Sequence, residues 1–288
     1  MSMTVVLVGL LVGTLVGLTG VGGGSLLTPI LIWMGVPVST SIGTDLVSNA
    51  ATKLLGLFQH HRQRSVSWRW VFALAVTGVP AALLGTWAVA WLHTRPETDG
   101  VLKHILGAAL VLATLATVAQ GWVRRRAPRG AQAAPGAPAG PGVTAGPSVA
   151  APGSQAADAD AAPPLDEAAA DGRPGRLVYV FGALVGFMVG LTSVGGGALV
   201  APVLFLLSRL SPRRIVGTDI GNAFFLTVAA GAAHAAIGTV NLPLALNLML
   251  GSLPGVWLGS RLTLVVPRRP LRAVISGIVL VTGVRWLV

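Results

Sequence analysis

Gly17-Leu-Thr-Gly-Val-Gly-Gly-Gly-Ser-Leu-Leu-Thr-Pro29 returns 173 residues later as Gly190-Leu-Thr-Ser-Val-Gly-Gly-Gly-Ala-Leu-Val-Ala-Pro202. Three consecutive glycines are poor helix, each costing about 1 kcal/mol against alanine. The triplet therefore divides an apolar run in two. The part before it, 4–18, is nearly long enough to cross a bilayer, and the part after it, 25–33, is too short to cross alone. A glycine-interrupted apolar segment at corresponding places in two halves of a chain points to a transporter binding site.

The duplication extends outward from this stretch. Gly43-Thr44-Asp45 recurs as Gly217-Thr218-Asp219, an offset of 174. In the same register His60 meets His234, Pro80 meets Pro254 and Gly85 meets Gly259. One inserted residue thus aligns most of each half, and the chain is an internal repeat.

Composition sets the medium. Of 288 residues 53% are hydrophobic, only 10% are charged and 38 are glycine, which excludes an ordinary soluble domain. The N-terminus lacks the basic region of a cleavable signal, and its apolar run leads straight into the repeated motif. With no cysteine, disulfides and thiolate metal sites are excluded, and no His-Glu pattern suggests another metal site. No cofactor is expected.

Ten apolar segments follow, five per half: roughly 4–20, 25–34, 39–60, 70–92 and 103–123, then 177–194, 198–209, 212–238, 242–261 and 271–288. If the chain changes sides at each, 16 of the 20 Lys and Arg fall on one side, and only Arg95, Lys103 and Arg285 on the other. The positive-inside rule makes the first side cytoplasmic and turns both termini outward. The net charge of +11 is then an orientation signal, not a nucleic-acid footprint. Five is odd, so the halves are expected to lie in the membrane with opposite orientation. The expected fold is an all-α polytopic inverted repeat with glycine-broken or re-entrant helices: a first repeat at 1–123, a linker at 124–176 and a second repeat at 177–288. Tryptophans 33, 68, 70, 87, 91, 122 and 286 lie near segment ends, as an interfacial belt requires, and Trp257 does not. The linker is rich in Ala, Pro and Gly and holds five of the nine acids, which reads as a disordered cytoplasmic connection.

The paired glycine motifs, the Gly-Thr-Asp triplets and the two halves joined by a long connection resemble the sulfite exporter TauE/SafE family of membrane transporters. The resemblance covers both halves and omits the linker. It implies carriage of a small sulfur-containing anion such as sulfite or an organic sulfonate.

The residues carry their own indications. A chain leaving a glycine triplet into a helix presents unpaired N–H groups at the positive end of the helix dipole, an anion site in waiting. Gly22, Gly23 and Gly24, with Gly195, Gly196 and Gly197, supply two such places. Thr19, Ser25, Thr192 and Ser193 add hydroxyl donors beside them; the bland alternative is close helix packing through small residues. Asp45 and Asp219 are the only acids inside the segments, and each shares a helix face with an asparagine, Asn49 or Asn222. Helix capping is their competing explanation. Lys53 extends the first stripe and has Thr227 as its repeat equivalent, so it breaks the symmetry; snorkelling competes with substrate contact there. Depth in the membrane, with segments three and eight running in opposite directions, pairs Asp45 with His234 and Asp219 with His60 across the halves, which suggests a proton-coupling set. The expected partners are a small anion and the lipid bilayer of the cell's cytoplasmic membrane, with no nucleic acid. A passive anion channel is the alternative function. An intramembrane aspartyl protease is a further alternative, but both acids lie in copies of one motif.

Overall fold

The computed structural model describes residues 3–19, 23–93, 99–126, 172–195, 199–262 and 268–287. Among them are ten helices and no strand: α1 Met3–Thr19, α2 Gly24–Trp33, α3 Val38–Arg62, α4 Trp68–His93, α5 Asp99–Arg126, α6 Arg176–Thr192, α7 Val200–Leu207, α8 Pro212–Ala236, α9 Leu242–Leu262 and α10 Arg268–Leu287. Each expected apolar segment carries one helix. Most of the expected linker, 127–171, lies outside the described residues.

Four stretches, Trp68–Leu92, Gly100–Val118, Pro212–Ala236 and Leu242–Gly259, are long and apolar enough to cross a membrane. Their outer faces are apolar too: Leu83, Leu84 and Trp87 of α4 and Leu246, Leu250 and Trp257 of α9 are exposed. Such a surface belongs in lipid. Two tryptophans depart from the belt reading. Trp70 is buried in the core at 1% exposure, so it packs rather than anchors. Trp257 lies one turn from Arg261, whose guanidinium carbon sits 4.0 Å from the ring centroid.

The most extensive helix contacts join the two halves. α1 lies along α9, and α4 along α6, its equivalent pair when the halves are exchanged. Both pairs are parallel and seat on glycines spaced four apart, which let backbones approach closely. A Cβ on Gly9 would stand 2.6 Å from the Leu248 carbonyl oxygen, and one on Gly13 would stand 2.7 Å from the Ser252 Cα. On the other seam a Cβ on Gly182 would stand 2.6 Å from the Leu74 carbonyl oxygen, and one on Gly186 would collide with the Gly78 backbone.

α3 and α8 pair at the centre and run antiparallel. The beginning of each meets the end of the other through matching contacts. A Cβ on Gly43 would lie 2.7 Å from the Thr239 carbonyl oxygen, and one on Gly217 would collide with that of Ser65. The Thr44 hydroxyl oxygen accepts the Asn241 N–H at 3.1 Å, and the Thr218 hydroxyl oxygen accepts the Ser67 N–H at 3.0 Å. Asn241 and Ser67 precede α9 and α4, so each Gly-Thr-Asp triplet holds the start of the other half's fourth helix. The ends match as well. After α3, Ser65 N–H bonds back to the His60 carbonyl (3.0 Å), and after α8, Thr239 N–H bonds to that of His234 (3.1 Å). The left-handed position in this turn is Gly238 (φ 77°) in one half and Arg64 (φ 50°) in the other.

Candidate functional site

The first half's broken helix meets the second half's break at the molecular centre. α2 starts at Gly24, where a Cβ would collide with the Ser193 carbonyl. Ser193 caps α6 in the left-handed conformation (φ 60°), a position that disfavours side chains other than glycine's. Gly195 follows at φ 154° with Val189 packed against it, so a Cβ there would sit 2.7 Å from the valine methyl. The Thr192 hydroxyl donates to the Met188 carbonyl (2.7 Å) and receives the Val194 N–H (3.2 Å), which fixes this cap locally.

Around that meeting point lies a polar knot. Asp45 is fully buried. Its Oδ2 accepts the Thr28 hydroxyl at 2.6 Å and the Ser193 hydroxyl at 2.8 Å, and its Oδ1 accepts the Asn49 amide at 2.7 Å. One carboxylate thus ties α2, α3 and the α6 cap together. Three donors satisfy a group that would otherwise be very costly to bury. The arrangement is particular to the first half: the repeat equivalents of Thr28, Asn49 and Ser193 are Ala201, Ala223 and Gly20.

Beside the knot lies a small, partly open cleft lined by Gly23, Gly24, Asn49, Lys53, Val189, Ser193, Ala223 and Thr227. Lys53 and its repeat equivalent Thr227 face it from α3 and α8, so it straddles the halves. Among the described residues its lining has one cation and no acid, two glycine backbones at the start of a helix, two hydroxyls and an amide. These are the groups that hold a small oxyanion. Gly23 is glycine for a steric reason: a Cβ there would collide with Asn49 Oδ1.

The structure therefore brings Gly23, Gly24, Asn49, Lys53 and Ser193 together. It places others elsewhere. Ser25 faces a separate cleft with Thr114, Thr117 and Ser276. Asn222 is buried on α8, with neither side-chain polar atom hydrogen-bonded. Thr192 serves the cap. Gly22, Gly196, Gly197 and the Thr19 side chain lie outside the described residues. The expected Asp–His pair across the halves is not formed for Asp45, whose three partners are those above. His234 Nδ1 meets Thr239 Oγ1 at 2.8 Å, and its Nε2 donates to the Gly190 carbonyl at 3.0 Å. His60 Nδ1 bonds Ser65 Oγ at 2.8 Å in the matching way. The reason is direction: α3 and α8 do bring Asp45 and His234 near the same level, but the imidazole turns toward its own loop. Asp219 is buried on α8. Thr28 was not anticipated, although its replacement by Ala201 in an otherwise matching motif was a visible asymmetry.

A family profile described as Sulfite exporter TauE/SafE matches residues 5–286. The chain belongs to the sulfite exporter TauE/SafE family. It is similar to the probable membrane transporter protein YjnA of Bacillus subtilis, 37% identical with all of both chains covered. A probable membrane transporter protein of Methanocaldococcus jannaschii is 22% identical over 98% of this chain and 94% of its own. YunE, another probable membrane transporter protein of Bacillus subtilis, is 23% identical over 92% and 88%. No solved structure matches. Family and helices together make the chain a multi-pass membrane transporter and not an enzyme, which removes the protease alternative.

Proposed function

We propose that this transporter carries a small sulfur-containing oxyanion, sulfite or a short organic sulfonate, through the cleft at Gly23, Asn49, Lys53 and Ser193. The single observation behind this reading is that cleft: one lysine, no acid and a helix start, set where the two broken helices meet. Family membership and the chemistry of the donors both favour an oxyanion cargo.

The protein sits in the cytoplasmic membrane with both termini outward and 124–176 as a cytoplasmic connection. The halves are inverted with respect to each other. Supporting this, α1 with α9 and α4 with α6 run parallel, while α3 and α8 run antiparallel, as alternation of sides requires. Transport is proton-coupled. Asn49 and Ser193 both serve the Asp45 carboxylate and line the anion cleft, so the charge on Asp45 is felt where the anion binds. An unneutralised carboxylate there repels the cargo, and a proton on it removes the repulsion. Exchange of the knot's bonds as the halves rock about the midplane site would link proton and anion, as alternating access requires.

The test is purified protein in liposomes, offered sulfite, sulfate, thiosulfate, sulfoacetate, taurine and acetate with and without an imposed pH gradient. Saturable uptake of the sulfur oxyanions, enhanced by the gradient and absent for acetate, is expected. Unsaturable flux indifferent to the gradient would favour a channel instead.

A further inference from the structure

The two halves make the same turn after their third helix. His60 and His234 are repeat equivalents, and each holds its own turn in the same way. Nδ1 lies 2.8 Å from the hydroxyl oxygen of Ser65 in one half and of Thr239 in the other. That hydroxyl stands 3.1 Å or 3.0 Å from the histidine's own carbonyl oxygen, which also accepts the backbone N–H of the same Ser or Thr.

The halves part at Nε2. In the second half it donates to the Gly190 carbonyl of α6 at 3.0 Å, and both residues are buried. The counterpart in the first half is a bond from His60 Nε2 to the Gly17 carbonyl of α1, since Gly17 and Gly190 open the two copies of the glycine motif. That bond is not made. Among the described residues the His60 ring hydrogen-bonds only through Nδ1, and His60 and Gly17 are both half-buried. Helix packing shows the same asymmetry: α6 packs against α8, whereas contact between α1 and α3 is nearly absent among the described residues.

The placing of the two histidines gives this difference a meaning. α3 and α8 are antiparallel, so His60 and His234 stand at opposite ends of the pair. Lys53 and Thr227, which face the anion cleft from the two helices, lie seven residues before them, about 10 Å along a helix. Val189, also in the cleft wall, directly precedes Gly190. The His234–Gly190 bond thus draws α8 onto α6 beside the cleft at one end, and the matching seam at the other end stands open. In an inverted repeat, one local build held in two arrangements describes both states of a gate, because exchanging the arrangements of the halves turns the site to face the other side.

We infer that His60 and His234 are alternating latches: release of His234 Nε2 from Gly190 opens the cleft at that end, and closure of His60 Nε2 on the Gly17 carbonyl shuts the other. This inference rests on the alternating-access reading of the proposed function. Neither histidine lines the cleft, so both are positioning residues that set which side the cleft faces.

The chain has no cysteine, so Thr227→Cys puts a single thiol in the cleft of the full-length protein. The experiment labels it with a membrane-impermeant methanethiosulfonate from either side of vesicles of known protein orientation. Labelling should be at least about fivefold faster from the His60 side than from the His234 side, a ratio within reach of one hydrogen bond. His234→Phe keeps a ring and loses the donor, and should raise labelling from the His234 side about fivefold. His60→Phe removes the latch of the opposite state and should lower it by a similar factor. His234→Gln keeps an N–H donor and should stay within about twofold of the parent. Residues that only brace their turns would move both Phe variants alike. Monodisperse elution reports folding, and His60→Phe, at a half-buried position, carries the test if His234→Phe does not fold. Sided labelling that the folded Phe variants leave unmoved, or move in one direction, overturns the latches and leaves alternating access standing. Labelling equally fast from both sides in the parent overturns alternating access and this inference with it.

Discussion

Replacing Thr28 with valine keeps the side chain's shape and removes one of the two protons that Asp45 Oδ2 receives. The bond is 2.6 Å long and buried, and its acceptor is a carboxylate with no solvent to turn to. A hydrogen bond to a charged group contributes about 1.5–3 kcal/mol. In a chain of this size 1 kcal/mol moves Tm by roughly 2–4 °C, so Thr28→Val should melt about 3–12 °C below the wild type. Ser193→Ala removes the other proton and should cost a similar amount. Both bonds end on one oxygen, so the double variant leaves Oδ2 bare and should lose more than the sum, by about 1 kcal/mol. The assay is thermal unfolding in detergent, followed by tryptophan fluorescence, with sulfite affinity measured on the same samples. Thr28 does not line the anion cleft, whereas Ser193 does. Thr28→Val should therefore keep its sulfite affinity within about twofold, and Ser193→Ala should not. If Thr28→Val melts with the wild type, or the two losses simply add, the carboxylate is not the knot that joins α2 to the α6 cap.

Three further outcomes follow from the packing and the turns. Gly186→Val drives a branched side chain into the Gly78 backbone and should abolish the monodisperse peak in size-exclusion chromatography, while Gly277→Ala, whose Cβ meets nothing within 4 Å, should elute as wild type. Gly238→Ala, at φ 77° with open space around it, should lose about 1–2 kcal/mol through backbone strain alone, and Arg64→Gly, at the equivalent turn with φ 50°, should gain up to about 1 kcal/mol, both read from unfolding midpoints. A reporter fused after Val288 should be active outside the cytoplasm and one inserted near Ala150 inside it; the reverse pattern would sink the proposed orientation.

Helix positions were legible because each apolar run is bounded by glycine, proline or arginine, and a backbone in lipid has no choice but to bond within its own segment. The Asp45–Asn49 bond was legible too, since residues four apart share a helix face. Thr28 and Ser193 were not seen as partners of Asp45 because they come from two other elements, and only the tertiary meeting of the two breaks brings them there. The Asp45–His234 pairing went astray for a related reason. Depth in a membrane fixes a side chain's level, not its direction, and the imidazole has a nearer partner in Thr239. The glycines of the two parallel seams stand four apart in plain sight at 182, 186 and 190 and at 251, 255 and 259, yet they have no meaning until each has a facing helix.

The proposed transport cycle turns on an anion bound against Lys53 in the cleft between the halves. Calorimetric titration of sulfite into the purified transporter tests it most directly, with Lys53→Met compared against the wild type. Saturable binding is expected, and Lys53→Met should weaken it at least tenfold, about 1.4 kcal/mol, with the unfolding midpoint little changed. Sulfite bound by Lys53→Met as tightly as by the wild type would contradict it.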